Sequence, residues 1–117
     1  MDIKSATQLL QDESLTSVVT FHCQQAIEKL FKAILIERDM EPLRIYDLLR
    51  LYRLVLEYIG PFDDIQILKV INEAYIDARY QGELGLLPDG SPSIIEAIAF
   101  IEFAKFVYST IKTNLGE

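Results

Sequence analysis

Residues that bind metals or act as nucleophiles are scarce in this sequence, which has one histidine and one cysteine among 117 residues. Without a second histidine, a cysteine pair or an inward Glu-x-x-His spacing, the chain offers no ligand set for zinc or a di-iron centre. No serine or cysteine has a spacing that would bring it beside His22, which excludes a hydrolytic triad. Cys23 falls among apolar residues and is interpreted as a small core residue. We therefore expect neither a metal nor a cofactor.

Phosphate-binding loops and membrane spans are also missing from the sequence. The glycines between Gly82 and Gly90 do not follow a strand, and they are not followed by the Lys-Ser/Thr pair of a phosphate-binding loop. No apolar run reaches the roughly 18 residues of a membrane-spanning helix, and the start, Met1 to Lys4, lacks the apolar region of a signal peptide. We therefore expect a cytoplasmic protein without membrane contacts.

Positive charge is in the minority, with 11 Lys and Arg against 18 Asp and Glu and a net charge of −7. Because non-specific affinity for nucleic acids comes mainly from Lys and Arg that neutralise phosphates, this balance argues against a general nucleic-acid binder. The hydrophobic half of the chain is enough for one substantial core. The sequence therefore predicts a single domain over residues 1–117.

Apolar residues recur at helical spacing over most of the chain, and strand-type alternation is absent. Ser14, Asp47 and the Ser93 to Glu96 capping box are predicted to begin helices, whereas Gly60-Pro61 is predicted to end one. The predicted helices cover about Asp2 to Asp12, Leu15 to Arg38, Leu48 to Ile59, Asp63 to Tyr80 and Ile94 to Leu115, with residues 81–92 as the longest loop. This pattern predicts an all-α fold, an antiparallel up-and-down bundle of four long helices with a short leading N-terminal helix.

Two polar residues interrupt the apolar face of the central helix. Helical winding places Gln24 inside that face and Glu28 at its edge, and buried polar groups need hydrogen-bond partners. Two interpretations stay open, a structural network that fixes helix packing and a ligand or subunit contact. Arg79, the cation that borders the apolar face of the 63–80 helix, is the expected partner. We predict one polar network of Gln24, Glu28 and Arg79, with Asp47 as a further candidate member.

The sequence of the central helix resembles the HEPN family of small helical domains, whose second helix often has a sequence close to F-x-x-Q-Q-A-x-E-K-x-x-K-A-x-L. The matching residues are Phe21, Gln24, Gln25, Ala26, Glu28, Lys29, Lys32, Ala33 and Leu35. Two later segments fit in the same order: Glu41-Pro42-x-Arg44-x-x-Asp47-Leu48 resembles the family's E-P-P-R-T-H-D-L, and Tyr75-x-x-Ala78-Arg79-Tyr80 resembles its Y-x-x-A-R-Y-P. The resemblance covers about residues 15 to 112.

The resemblance associates such domains with two activities, nucleotide binding at a dimer and metal-independent RNA cleavage by an Arg-x4–6-His motif. This chain departs from the cleavage motif, because Tyr80-Gln81-Gly82-Glu83-Leu84-Gly85 follows Arg79 without a histidine. Tyr46 stands where the family often has a histidine, and the unperturbed pKa of tyrosine, about 10, does not suit a proton shuttle near neutral pH. An enzymatic function is therefore disfavoured, and a ribonuclease toxin is kept only as an alternative.

The resemblance implies a homodimer that binds a nucleotide or partners a minimal nucleotidyltransferase in a prokaryotic toxin–antitoxin pair. The candidate nucleotide contacts are Lys29, Lys32, Arg79 and Tyr80, since lysine and arginine bind phosphate and tyrosine stacks on bases. In the alternative interpretation, the lysines are a solvated helix face, Arg79 pairs with Glu28 or Asp47, and Tyr80 is a packed ring. A purely structural helical dimer is the remaining alternative, and the two-sided apolar character of residues 94–111 favours a dimer in either case.

Overall fold

The computed structural model describes residues 16–41, 44–83 and 93–116, and the side chains of all of these except 75–83. Within these ranges the chain forms helices and no strand, which confirms the predicted all-α fold. The four helices are α1 (Thr16–Glu37), α2 (Leu48–Ile59), α3 (Ile65–Glu83) and α4 (Ile94–Asn114). The predicted leading helix, Ser14 and most of the predicted 81–92 loop lie outside the described residues. No helix of the described chain is long and apolar enough to cross a membrane.

Helix α1 lies at the centre of the fold and packs against each of the other three helices. Its apolar arc is the one predicted from helical winding, and most of that arc is buried. The buried apolar residues of α1 are Val19, Cys23, Ala26, Ile27, Phe31, Ile34 and Leu35. Phe21, by contrast, is exposed, although helical winding also places it on this arc.

The end of α1 is fixed by a left-handed residue. Asp39 has φ of 61°, the amide of Asp39 donates to the carbonyl of Ile36, and the amide of Met40 donates to the carbonyl of Leu35. These two bonds form a Schellman motif, in which the residue after the helix usually is glycine. The helix therefore ends at Glu37, one residue before the predicted Arg38.

The predicted ends of α2 agree with the structure. The Asp47 carboxylate accepts hydrogen bonds from the amides of Leu49 (2.9 Å) and Arg50 (3.4 Å), which makes Asp47 the N-cap. Gly60 follows the helix with φ of 80°, a value that glycine adopts without steric cost. The capping box of Ser93 and Glu96 is likewise present at the start of α4.

Helix α3 differs from its predicted extent at both ends. It begins at Ile65, with the Asp64 carboxylate accepting from the amide of Ile67, and it continues to Glu83. The prediction that the loop begins at Gln81 was therefore wrong. Gly82 costs only about 1 kcal/mol in a helix interior relative to alanine, so glycine without a nearby proline did not end the helix.

Side-chain hydrogen bonds fix both ends of helix α2. The amide of Leu48 at the start of α2 donates to the side-chain oxygen of Asn72, and the amide of Phe62 just after α2 donates to the hydroxyl of Tyr52. Contacts of α2 with α1 and with the residue after α1 follow the same order along both segments: the Phe31 ring lies near Tyr52, and the Arg38 guanidinium lies over Tyr58. The up-and-down order of the bundle stays a prediction.

Phe62, in the short connection between α2 and α3, joins three helices. Its ring lies 5.1 Å from Tyr52 of α2, 6.2 Å from Phe31 of α1 and 5.9 Å from Phe103 of α4, measured between ring centroids. Aromatic pairs at these separations contribute about 0.5–1.5 kcal/mol beyond their buried area. This cluster therefore fixes how α2 and α4 pack on the C-terminal half of α1.

Helix α4 is apolar on two sides, and within the part of the chain that the structure describes only one of them is buried. The covered side contributes Ala97, Phe100, Ile101, Phe103, Ala104, Val107 and Ile111 to the core. Ile95 is 80% exposed, and Ile98, Phe106 and Tyr108 are exposed as well. On α1, Val18 and Phe21 are also exposed.

Candidate functional site

A row of polar side chains follows α1 through the core. Gln24 is fully buried, and its amide nitrogen donates to Oε1 of Glu28 at 3.1 Å. The amide oxygen of Gln24 accepts from Gln25 at 2.6 Å. The other carboxylate oxygen of Glu28, Oε2, pairs with the ammonium of Lys32 at 3.1 Å. We call these four residues the α1 cluster, and its buried members are satisfied by one another.

Tyr46 covers the end of the α1 cluster. The Lys32 ammonium lies 4.8 Å from the centroid of the Tyr46 ring, so that it contacts a carboxylate and an aromatic face together. The Lys32 side chain is 16% exposed, whereas Tyr46 is 58% exposed. Lys32 is therefore held in place by its neighbours, and the Tyr46 ring offers a surface to solvent beside a fixed positive charge.

Asp47 belongs to a second polar cluster. Besides capping α2, its Oδ1 accepts from the side-chain amide of Asn72 at 3.3 Å, and Oδ1 of Asn72 accepts from the amide of Leu48 at 3.2 Å. These bonds connect Asp47 to α3, while the contacts of Glu28 with described side chains are to Gln24 and Lys32. The side chain of Arg79 lies outside the described residues, so a single network through Arg79 stays a prediction.

The other candidate nucleotide contacts occur on α1 and α3. Lys29 is exposed and precedes Lys32 by three residues on α1, which places the two lysines on neighbouring turns. Arg79 and Tyr80 lie within α3, seven and eight residues after Asn72. At about 1.5 Å per residue, the backbone of Arg79 is about 10 Å further along the helix axis than that of Asn72.

Sequence reasoning missed the importance of Tyr46 and Asn72. Tyr46 was considered only as the residue in place of a histidine, and its contact with Lys32 joins residues 14 positions apart. Asn72 did carry a usable signal: it follows Leu68 by four residues and precedes Tyr75 by three, which places a polar residue on an apolar helix face. The same reasoning singled out Gln24, and it applies equally to Asn72, which is 6% exposed.

A groove of about 440 Å³ lies elsewhere, between the ends of α2 and α4. It is lined by Ile59, Phe106, Ser109, Thr110, Thr113 and Asn114. The amide nitrogen of Asn114 donates to the carbonyl of Tyr58 at 2.7 Å, and its buried oxygen has no hydrogen-bond partner among the described residues. The pKa of the neighbouring Tyr58 is raised by a hydrogen bond to Glu57, by partial burial and by the charge of Glu57, whereas the charge of Arg38 lowers it. None of these six lining residues is charged, so the groove as the described residues form it is less suited to phosphate than the surroundings of Lys32.

Among the described residues, no group of three or more His, Cys, Asp or Glu side chains could hold a metal ion. Fold and site together define a small all-helical domain with a polar row through its central helix. The family model of the HEPN domain matches residues 1–114, and the chain belongs to this family. The match supports a helical domain of the nucleotide-binding or ribonuclease type. No curated protein and no solved structure matches the chain.

Proposed function

We propose that the chain forms a homodimer that binds a nucleotide, and that it partners a minimal nucleotidyltransferase in a prokaryotic toxin–antitoxin-type pair. The observation that carries nucleotide binding is the position of the Lys32 ammonium, between the Glu28 carboxylate and the exposed ring of Tyr46. Family membership supports the class of function.

A fixed lysine beside an exposed aromatic ring suits a nucleotide in two ways. An ammonium group has three N–H donors, and the ion pair with Glu28 uses one of them. The other two can donate hydrogen bonds to a phosphate oxygen. The exposed ring of Tyr46 offers a face on which a base can stack, an interaction worth about 1–3 kcal/mol per base in single-stranded complexes. Glu28 holds the lysine in position while reducing the net charge of the site.

Lys29, Arg79 and Tyr80 complete the proposed site. Lys29 adds a second positive charge one turn from Lys32, and Arg79 and Tyr80 belong to α3, seven and eight residues after Asn72. An arginine can hold a phosphate through two parallel hydrogen bonds, which lysine cannot do. We propose that these residues contribute phosphate contacts and a further stacking surface.

The exposed apolar side of α4 supports the homodimer. Ile95 and Ile98 are exposed on α4, and Val18 and Phe21 are exposed on α1, the helix against which α4 packs most extensively. Large exposed apolar patches on soluble domains mark interaction sites, and symmetric dimers bury such surfaces on both copies. We propose that this surface of α1 and α4 forms the dimer interface.

Isothermal titration calorimetry with ATP, ADP, AMP and GTP tests the nucleotide site. The wild-type protein should bind at least one of them, and Lys32→Gln and Tyr46→Leu should each weaken binding about tenfold, a loss of about 1.4 kcal/mol. Lys105→Gln is the matched control, because Lys105 is an exposed lysine of α4 whose ion pair with Glu102 is on the surface. Absence of binding at millimolar nucleotide, or equal losses in the control, would reject the site.

The partner is tested separately, through the neighbouring reading frame. A small nucleotidyltransferase with a G-S-x10–12-D-x-D pattern encoded beside this chain, and co-purification of the two proteins after co-expression, would support the toxin–antitoxin pairing. A neighbouring gene of a different kind, or two proteins that elute separately, would contradict it while leaving the nucleotide site to be judged by calorimetry.

A further inference from the structure

One side-chain amide connects the segment that carries Tyr46 to helix α3. The nitrogen of Asn72 donates to the Asp47 carboxylate, and its oxygen accepts from the amide of Leu48, so both halves of the amide are used. These partners precede Asn72 by 25 and 24 residues. Asn72 is 6% exposed, so its bond with the amide of Leu48 is shielded from competing water, whereas the bond to the exposed Asp47 is partly buried.

The two partners of Asn72 directly follow Tyr46 in the chain. Asp47 is also held by the amides of Leu49 and Arg50, which fixes it to the first turn of α2. A chain anchored at two successive residues leaves little freedom to the residue before them. The position of the Tyr46 ring over Lys32, 4.8 Å from ammonium to centroid, therefore depends on where α3 holds Asp47 and Leu48.

We infer that Asn72 is a positioning residue for the proposed nucleotide site. Asn72 holds the Tyr46 ring over Lys32, and it sets the distance between this ring and the turns of α3 that contain Arg79 and Tyr80. This inference rests on the proposed function. The backbone of Arg79 lies about 10 Å along α3 from Asn72, so the amide fixes the spacing between two parts of the site that belong to different helices. A polar residue at this buried position serves the placement of Tyr46, because an apolar residue would pack on α2 without binding Asp47 or Leu48.

Two substitutions separate the bonds of Asn72. Asn72→Leu keeps the branched shape and the number of non-hydrogen side-chain atoms, and it removes both bonds. Asn72→Asp keeps an acceptor for the amide of Leu48 and replaces the donor to Asp47 with a second carboxylate, which repels it. Asn114→Leu is the matched control, because Asn114 also connects two helices through its amide, at the opposite end of α2, where it donates to the carbonyl of Tyr58.

The placement of Tyr46 is measured by NMR without any ligand. In the wild-type protein, the ε-methylene protons of Lys32 should show an upfield ring-current shift and a nuclear Overhauser effect to the Tyr46 ring. Both signals should be lost in Asn72→Leu and Asn72→Asp and retained in Asn114→Leu. If Asn72→Leu does not fold, Asn72→Asp, which keeps the acceptor for Leu48, provides the comparison. Folded Asn72 variants that retain both signals would overturn the inference.

Calorimetry with the nucleotide that binds the wild-type protein most tightly gives the second measurement. The Kd should rise about fivefold or more in the Asn72 variants, close to the effect of Tyr46→Leu, and stay unchanged in Asn114→Leu. An unchanged Kd in the Asn72 variants would overturn the role in binding. If the wild-type protein binds no nucleotide, the proposed function fails, whereas the NMR signals still decide whether Asn72 positions Tyr46.

Discussion

Gln24 and Glu28 are joined by a hydrogen bond of 3.1 Å inside the apolar face of α1, where Gln24 has no exposed surface. The bond connects successive turns of one helix, and the other carboxylate oxygen of Glu28 forms an ion pair with Lys32 at the edge of the core. A carboxylate in this position would be costly without its partners, because a charge removed from water needs compensating charges and hydrogen bonds. The stability of the central helix and the position of the Lys32 ammonium are therefore coupled through Glu28.

Glu28→Ala should lower the free energy of unfolding by about 1.5–3 kcal/mol, the range for hydrogen bonds to a charged group. The loss arises because buried Gln24 loses an acceptor and Lys32 loses its carboxylate. Urea denaturation followed by circular dichroism measures the change. Glu37→Ala is the control, since Glu37 is exposed in the last turn of the same helix and should change stability by about 0.5 kcal/mol or less.

The predicted participation of Arg79 is tested by a double-mutant cycle of Glu28→Ala and Arg79→Ala. If Arg79 pairs with Glu28 in the core, Glu28→Ala leaves Arg79 as an uncompensated buried charge. The loss of stability caused by Glu28→Ala then rises to about 3–5 kcal/mol. The double mutant should then lose less than the sum of the single mutants. Strictly additive losses would instead assign Arg79 to solvent or to a ligand.

Tyr52→Phe should cost about 1–3 kcal/mol, because it leaves the amide of Phe62 without its acceptor in the core. The ring itself remains, so its packing against Phe31 and Phe62 is retained. Tyr46→Phe is the matched control: it removes the same hydroxyl from an exposed ring and should alter stability by about 0.5 kcal/mol or less. Equal losses in the two variants would mean that the hydroxyl of Tyr52 does not carry the effect.

Asp39→Gly should raise the free energy of unfolding by roughly 0.5–1 kcal/mol, because Asp39 has φ of 61° and glycine adopts this conformation without a clash of Cβ. Asp39→Ala should be the least stable of the three proteins, since alanine retains Cβ and lacks the local hydrogen bonding of aspartate. Thermal or urea melts of the three proteins provide the order. An alanine variant as stable as the glycine variant would show that backbone strain is not the cause.

The features that sequence could predict are local ones. Asp47, Gly60 and the Ser93 to Glu96 capping box act within one helical turn, and all three occur where they were expected. The end of α1 was less predictable, because Asp39 takes a position that glycine usually occupies. The extent of α3 was underestimated for a related reason, since Gly82 weakens a helix without ending it.

The site depends on contacts between distant parts of the chain, and these were only partly predictable. Helical winding identified Gln24 and Glu28 as a buried polar pair, because both residues belong to one helix. The contact of Lys32 with Tyr46 depends on the path of the connection between α1 and α2, which has no regular periodicity. Asp47 was only a candidate member of the network of Gln24, Glu28 and Arg79, which stays a prediction. Its hydrogen bond to Asn72, a residue 25 positions away, could not be derived from spacing.

Ile95→Glu should weaken the proposed homodimer, because Ile95 is 80% exposed on the apolar side of α4 and a buried carboxylate in an interface is strongly unfavourable. Light scattering of the purified wild-type protein at tens of micromolar should give the mass of two chains, and the variant should shift toward the mass of one. Gln66→Glu introduces the same charge at an exposed position of α3, outside the proposed interface, and serves as control. A wild-type protein with the mass of one chain would contradict the dimer.

The protein should lack metal-independent ribonuclease activity, because no histidine stands near the proposed site. His22 is the only histidine in the sequence, and it precedes Lys32 by ten residues on α1, a separation of about 15 Å along the helix. Its ring packs edge-on against Phe21, with 5.7 Å between the centroids. A proton shuttle must lie within hydrogen-bond reach of the reacting group, directly or through one water.

Incubation of the protein with a labelled single-stranded RNA in EDTA should therefore leave the RNA intact. Cleavage that disappears in Arg79→Ala would show that the site is catalytic, and loss of the same activity in His22→Ala or Tyr46→Phe would then identify the residue that replaces the motif histidine.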